Sequence, residues 1–277
     1  MIEGFDPTFD DTTWTLDWLR VPIQQVPPGE FEHGYRVVRE FMYDFEAFGQ
    51  YYQLDQPLDV RALLDPNGVL WMSDTPQERM MMWNNAGLSY GNVLVGGAGL
   101  ALYPQYVTNA QSFTIIERSP IVVKLVAPIM QQLQEERGVP VRFVLGDVET
   151  YLTKAEPGSY NTIFLDTWPQ LDAAQLPHIN RLREDSARHL APDGRVLLWG
   201  YHWMVRLFQE ACATLLMIPP EERDSWLNNQ LGNAPDAHLL LVPVVEAFAG
   251  ETVQRWELDA AVAECRDWVL EAMEGEL

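Results

Sequence analysis

Residues 91–102 read GNVLVGGAGLAL, and no other stretch limits the fold as strongly. Val93, Leu94 and Val95 form an apolar run too short for a helix and β-branched enough for a buried strand. Gly96, Gly97 and Gly99 come directly after it, and Leu100, Ala101, Leu102 and Tyr103 then open a helical turn. A buried strand, a glycine turn and a helix start make the ligand-binding corner of a doubly wound α/β sheet. Glycine suits that corner because a side chain would hold a ligand off the backbone. The helix N-terminus supplies free N–H groups to whatever sits in the turn. Taken alone, the glycines also fit an ordinary tight turn, so the weight rests on the residues after them.

Beyond the turn, strands and helices alternate. Strands are predicted at 112–117, 139–145, 162–165 and 196–199, with helices at 102–107, 120–134, 149–154 and 176–190. The turn Pro192-Asp193-Gly194 separates the last of these helices from the last strand. Such alternation means a parallel sheet with right-handed crossovers. Upstream lies an aromatic, proline-rich arm over 1–30 with a strand at 19–24, then strands at 35–43, 49–54 and 69–72 and a helix to residue 86. Met80, Met81 and Met82 on that helix fit plain core better than a contact to a cofactor's thioether. Downstream, 203–217, 221–231 and 255–273 read as helices, while 239–245 fits either a strand or a helix. The expected fold class is α/β: a doubly wound, mostly parallel, Rossmann-like sheet with a small β-rich N-terminal part and a helical C-terminal extension. The expected division is 1–73, a cofactor-binding core over 74–200, and 201–277.

The chain has 277 residues, 47% of them hydrophobic, enough for a substantial core. Its 18 basic and 40 acidic residues leave a net charge of −22, which disfavours direct nucleic-acid binding and favours a cationic partner. Solubility alone also explains such a charge. Cys212 and Cys265, the two cysteines, make no metal motif or disulfide framework, and a reducing compartment suits them. Residues 1–20 lack a basic segment followed by an apolar one, and no apolar run reaches spanning length. The expectation is a cytoplasmic protein without a membrane segment. The aromatic arm is a candidate homodimer contact. His33, His178, His189, His202 and His238 are scattered without ligand spacing, so no metal is expected. His202, just past the last strand between Tyr201 and Trp203, is a candidate for the border of a substrate site, with a structural histidine the commoner outcome.

Three carboxylates stand at the C-terminal ends of predicted parallel strands: Glu117, Asp147 and Asp166. That edge is where an open α/β sheet holds its ligand. Glu117 is placed to accept hydrogen bonds from both hydroxyls of a ribose, because one carboxylate can hold two donors. Asp147 is placed to accept from an adenine amino group, and Asp166 lies where a reacting group would be held. One such acid is an ordinary strand-end residue; three after a glycine turn form a constellation.

With these residues in place, 69–200 resembles class I S-adenosylmethionine-dependent methyltransferases. Gly97-Ala98-Gly99 resembles their glycine motif, Glu117 their ribose acid, and Gly146-Asp147 their adenine motif. Residues 164–169 (FLDTWP) resemble their fourth motif, and 190–194 the turn before their fifth strand. The order of parts is most similar to the spermidine synthase branch, in which the acid matching Asp166 takes a proton from an attacking amine. The resemblance implies a cofactor site of Gly97, Ala98, Gly99, Glu117, Arg118, Asp147, Val148 and Asp166, with S-adenosylmethionine or its decarboxylated form as cofactor. Arg118 stands where that family commonly has an apolar residue. Trp168 and Pro169 stand where polyamine synthases carry a second aspartate, and no closing pair of antiparallel strands is evident after Tyr201.

The leading expectation is methyl transfer to an unidentified small or cationic acceptor. Asp166 would serve as base, as amine-orienting group, or as holder of the cofactor's amino-acid end. Aminopropyl transfer to a polyamine is the alternative, and a binding protein that kept the fold without the chemistry is another. A nicotinamide fingerprint needs a third glycine where Leu102 stands.

Overall fold

The computed structural model describes residues 3–270. By compactness the chain forms two units: Met1–Phe9, Gln170–Asp185 and Gly200–Leu277 in one, Asp10–Pro169 and Ser186–Trp199 in the other.

The larger unit opens with a four-stranded antiparallel sheet in the order β1-β2-β3-β4, formed by Gly29–Glu30, Arg36–Ala47, Gln50–Leu64 and Leu70–Ser73. Phe48 and Gly49 take φ of 50° and 74°, the twist a two-residue hairpin needs between paired Ala47 and Gln50. The hairpin is longer than its sequence suggests. Asp55 and Pro57 read as a strand end, yet β3 continues to Leu64 against β2, past an irregular register at Met42/Asp44. No strand forms at 19–24; a 3-10 turn over Asp17–Arg20 buries Trp18 instead. Trp14 stacks on Tyr52 at 4.0 Å, so the aromatic arm packs on the hairpin.

Helix α1, Pro76–Gly87, comes next, with proline in its first turn. Asp74, just before it, is bound on several sides. Its carboxylate pairs with Arg79 at 3.2 Å, accepts from Gln25 at 2.7 Å and accepts the Arg61 backbone N–H at 2.5 Å. Arg79 also donates to the Asp59 carbonyl at 2.7 Å. This buried network ties the start of α1 to β3. Met80, Met81 and Met82 are all buried core.

The second sheet is parallel and five-stranded, in the order β7-β6-β5-β8-β9. Its strands are β5 (Tyr90–Gly96), β6 (Asn109–Glu117), β7 (Val141–Leu145), β8 (Tyr160–Leu165) and β9 (Leu190–Leu198). Helices α2 (Leu102–Tyr106), α3 (Pro120–Arg137), α4 (Val148–Leu152) and α5 (Leu176–Ala187) make the crossovers. Val93, Leu94, Val95, Ile163, Phe164 and Leu165 are buried, as central strands covered on both faces must be. Tyr103 stacks on Phe164 at 3.9 Å. Helix α3 shows its ends in sequence: Ser119 caps Val122 N–H, Pro120 takes the first position, and Gly138 closes it at φ 67°. Leu190 belongs to β9 and not to the preceding helix, which stops at Ala187.

The smaller unit is helical. Among the described residues no strand lies beyond Gly200; α6 (Tyr201–Leu216), α7 (Arg223–Leu231), α8 (Pro235–Ala247) and α9 (Leu258–Leu270) occupy that stretch. The ambiguous stretch 239–245 is therefore helix, entered through Pro235 in the first turn and continued through Pro243. Residues 271–273 of the helix expected over 255–273 lie outside the described residues. Buried Arg223 donates to the carbonyls of Leu216, Ile218, Phe248 and Glu251, joining the end of α6 to the turn after α8. Buried Arg183 lies 4.4 Å from the Phe5 ring centroid and donates to Tyr201 Oη at 3.1 Å. His202 stacks near Phe5 in this same unit. Among the described residues no helix is long and apolar enough to cross a membrane.

Candidate functional site

The order of the parallel sheet reverses between β5 and β8. The crevice outside their C-terminal ends is the switch point where such a sheet takes a ligand. Gly96 ends β5, and its carbonyl accepts the Asp166 N–H at 2.8 Å. Gly97 has φ of 88°, and a Cβ there would collide with the Asp166 carbonyl oxygen. Glycine is thus required at 97 twice over, by backbone conformation and by the close approach of the β8 end. Gly99, at φ 51°, has open space around it, so only conformation asks for glycine.

Glu117 closes β6 and is buried. One carboxylate oxygen accepts the Ala98 N–H at 2.9 Å; the other accepts the Ser119 N–H at 2.7 Å. It therefore braces the glycine turn, and each oxygen keeps a further lone pair for a ligand hydroxyl. Gly146 N–H donates to the Glu117 carbonyl at 3.0 Å, which puts Asp147 on the same rim, one strand over. Asp147 is exposed and caps α4 through Thr150 N–H at 3.0 Å, while Val148 beside it is buried. Arg118 is exposed. Gly97, Ala98, Glu117 and Asp166 come together; Asp147 and Val148 adjoin them through β7.

Two further acids belong to this neighbourhood. Glu78, in the first turn of α1, accepts the Trp199 indole N–H at 3.1 Å. Trp199 comes directly after β9, and its backbone N–H donates to the carbonyl of Leu165, the residue before Asp166. Buried Asp11 accepts from Asn85 at 2.9 Å. These carboxyls feel one another. Burial, then the charges of Glu117 and Asp11, raise Asp166 to about 7. Burial and the charge of Asp166 raise Glu78 to about 8, against the Trp199 N–H, which favours its anion; Asp11 adds to the rise. Asp166 is thus poised for proton transfer near neutrality. Trp168 is buried, 6.4 Å from Trp199 between ring centroids, and its indole N–H has no acceptor among the described residues. A buried donor in that condition is a natural partner for a ligand oxygen.

The sequence does not announce Glu78 or Asp11. Glu78 reads as a helix-dipole acid at the start of α1, and Asp11 lies in the irregular arm. The one available signal is Trp199 at the end of a predicted parallel strand, an indole that needs an acceptor when buried. Among the described residues no group of three His, Cys, Asp or Glu could hold a metal ion.

No family model matches the chain, and no curated protein matches it. Among solved structures it is similar to the YcgJ protein of Bacillus subtilis, at 22% identity and a TM-score of 0.29. That match covers 41% of this chain and 49% of that one, so the chain spans about half the length of that structure. Spermidine synthase from Thermotoga maritima overlaps 66% of this chain and 70% of its own at 13% identity and a TM-score of 0.37. The C-terminal domain of precorrin-6Y C5,15-methyltransferase from Rhodobacter capsulatus overlaps 48% and 68% at 13% identity and a TM-score of 0.34. At these identities and overlaps no residue role carries over, and the likeness does not single out one branch.

Proposed function

We propose that the chain is an S-adenosylmethionine-binding transferase that moves the cofactor's methyl group to an acceptor held beside Asp166. The observation that carries this reading is the meeting of Gly97 with Asp166 at the switch point, with the Glu117 carboxylate bound to Ala98 N–H next to it. On this reading the turn 97–99 receives the amino-acid end, Glu117 the ribose and Asp147 the adenine amino group, with Arg118 and Val148 flanking the nucleoside. The bound cofactor would supply an electrophilic sulfonium methyl group. Asp166 orients the nucleophile and accepts its proton at a carboxylate oxygen, a role its raised pKa of about 7 supports.

Calorimetry with S-adenosylhomocysteine tests the reading. A dissociation constant of tens of micromolar or tighter, weakened at least tenfold by Glu117→Ala, is the expected result. No heat up to millimolar ligand overturns it and favours a protein that binds something else on this fold.

Aminopropyl transfer from decarboxylated cofactor is the second reading. The carboxyl groups of Asp11, Glu78, Glu117 and Asp166 around one crevice favour it, because a cationic acceptor would favour their charged forms and gain from them. Turnover of putrescine with the decarboxylated cofactor alone would select it over methyl transfer.

A further inference from the structure

Trp168 comes two residues after Asp166, and the backbone around them shows which way both side chains face. A Cβ added at Gly96 would meet Leu165 Cδ2 at 2.9 Å and Thr167 Cγ2 at 3.5 Å. Leu165 and Thr167 therefore lie on one face, toward the end of β5, as alternate residues of an extended segment do. Asp166 and Trp168 take the opposite face together. The Trp168 ring is 6.4 Å from the Trp199 ring between centroids, tilted by 45°. Trp199 is fixed at two points: its backbone N–H donates to the Leu165 carbonyl at 3.0 Å, and its indole N–H donates to Glu78 at 3.1 Å. Two indoles and two carboxyls thus gather past the ends of β8 and β9, all within the larger unit.

The two indoles differ. Trp199 has its acceptor. Trp168 is only 5% exposed, and its indole N–H has none among the described residues. A buried donor without a partner destabilises its site, and a ligand acceptor relieves that. The surrounding carboxyls limit which acceptor fits. Beyond burial, Asp166 is raised by the charges of Glu117 and Asp11, and Glu78 by that of Asp166. A carboxylate or phosphate oxygen would bring like charge into this cluster. A second ammonium carries donors and no acceptor. A hydroxyl or an amide carbonyl accepts a hydrogen bond without charge.

Resting on the methyl-transfer reading, we infer that Trp168 selects the methyl acceptor: an amine that also carries a neutral hydroxyl or amide oxygen, which takes the Trp168 indole N–H while the amine lies at Asp166. Trp168 is then a specificity residue, and plain diamines and amino-acid carboxylates are poor acceptors.

The test uses the full chain with ¹⁵N-labelled tryptophan and five amines that differ at their far end: 4-aminobutanol, 4-aminobutanamide, 4-aminobutanoate, putrescine and butylamine. Each is titrated with S-adenosylhomocysteine present, and the indole N–H signal of Trp168 is followed by NMR. Its loss in Trp168→Phe assigns it; Overhauser contacts to the Trp199 ring assign it if that variant fails to fold. The alcohol and the amide should move the signal downfield and bind roughly tenfold more tightly than the other three. The Trp199 signal, already bonded to Glu78, should move little. In Trp168→Phe, S-adenosylhomocysteine should still bind and the preference should vanish. A downfield shift of Trp168 with S-adenosylhomocysteine alone would give this donor to the cofactor and overturn the inference. So would equal affinity for 4-aminobutanol and butylamine, tighter binding of putrescine, no binding of any of the five, or a preference that survives in Trp168→Phe. Absence of S-adenosylhomocysteine binding overturns the transferase reading instead; the titrations are then run without it, and the same preference there leaves the oxygen subsite standing.

Discussion

Glu78 accepts the Trp199 indole N–H at 3.1 Å, and this bond spans from the first turn of α1 to the end of β9. It brings a second carboxyl under the influence of Asp166, whose charge adds to the rise that burial gives Glu78. The pair is asymmetric. Asp166 titrates at about 7 under burial and the charges of Glu117 and Asp11, while Glu78 titrates at about 8 with Asp166 already charged. Asp166→Asn should therefore lower the Glu78 midpoint while leaving it above the free carboxyl value, because burial is the larger cause of the rise. Glu78→Gln should leave Asp166 nearly unmoved, because Glu78 still holds its proton when Asp166 ionises. Carboxyl ¹³C NMR titration of the three proteins reads both midpoints.

The same two groups set the pH dependence of stability. Both folded-state pKa values lie above the unfolded ones, so between about pH 4 and 8 the folded state binds more protons than the unfolded state. Stability contributed by these sites is full below pH 4 and declines as pH rises toward 8. Asp166→Asn should stabilise the ligand-free chain by about 1–3 kcal/mol at pH 8 and by little at pH 4. Urea unfolding at the two pH values measures the difference.

Gly97→Ala and Gly99→Ala separate conformation from crowding. Both positions have positive φ, but only residue 97 faces the Asp166 carbonyl. Alanine at 99 should cost about 1 kcal/mol, and alanine at 97 about 3 kcal/mol or more, with loss of S-adenosylhomocysteine binding. Denaturant midpoints and calorimetry supply the two readings.

Glu117→Ala removes the acceptor of two backbone N–H groups, Ala98 and Ser119. The expected loss of stability is about 2–3 kcal/mol, and Glu117→Gln, whose amide oxygen can keep one bond, should lose about half of that. Amide hydrogen exchange at Ala98 should quicken in both variants.

Asp147→Asn keeps an N-cap for Thr150, whereas Asp147→Ala removes it. Alanine should cost about 1 kcal/mol of stability and asparagine less than half of that. If both weaken S-adenosylhomocysteine binding alike, Asp147 meets the ligand through its charge and not only through the order of α4.

The parts of the site carried by consecutive residues are legible in the sequence. Gly97, Glu117 and Asp166 sit at strand ends, and strand ends can be read from apolar runs and the turns that stop them. Glu78 and Asp11 are not legible, because what brings them in is an indole hydrogen bond and an arm that packs by shape. The same limit explains the fold's departures. Asp55 and Pro57 look like a strand end, but pairing with β2 overrides local preference and carries β3 to Leu64. Val242, Val244 and Val245 favour a strand, but the helix opened at Pro235 buries Leu241 and Val244 along one face. Leu190 looks helical because no local signal marks where the backbone joins β8.

The buried ion pair of Asp74 and Arg79 leans on groups supplied by β3: the Arg61 backbone N–H and the Asp59 carbonyl. A truncated chain beginning at residue 74 would discard both supports and leave the Asp74–Arg79 pair without the groups that hold it against the start of α1. Glu78 sits one residue before Arg79, so the misfit would reach the acid beside Asp166 first. The antiparallel sheet is therefore a buttress for the rim of the crevice, and the parallel half should not survive on its own.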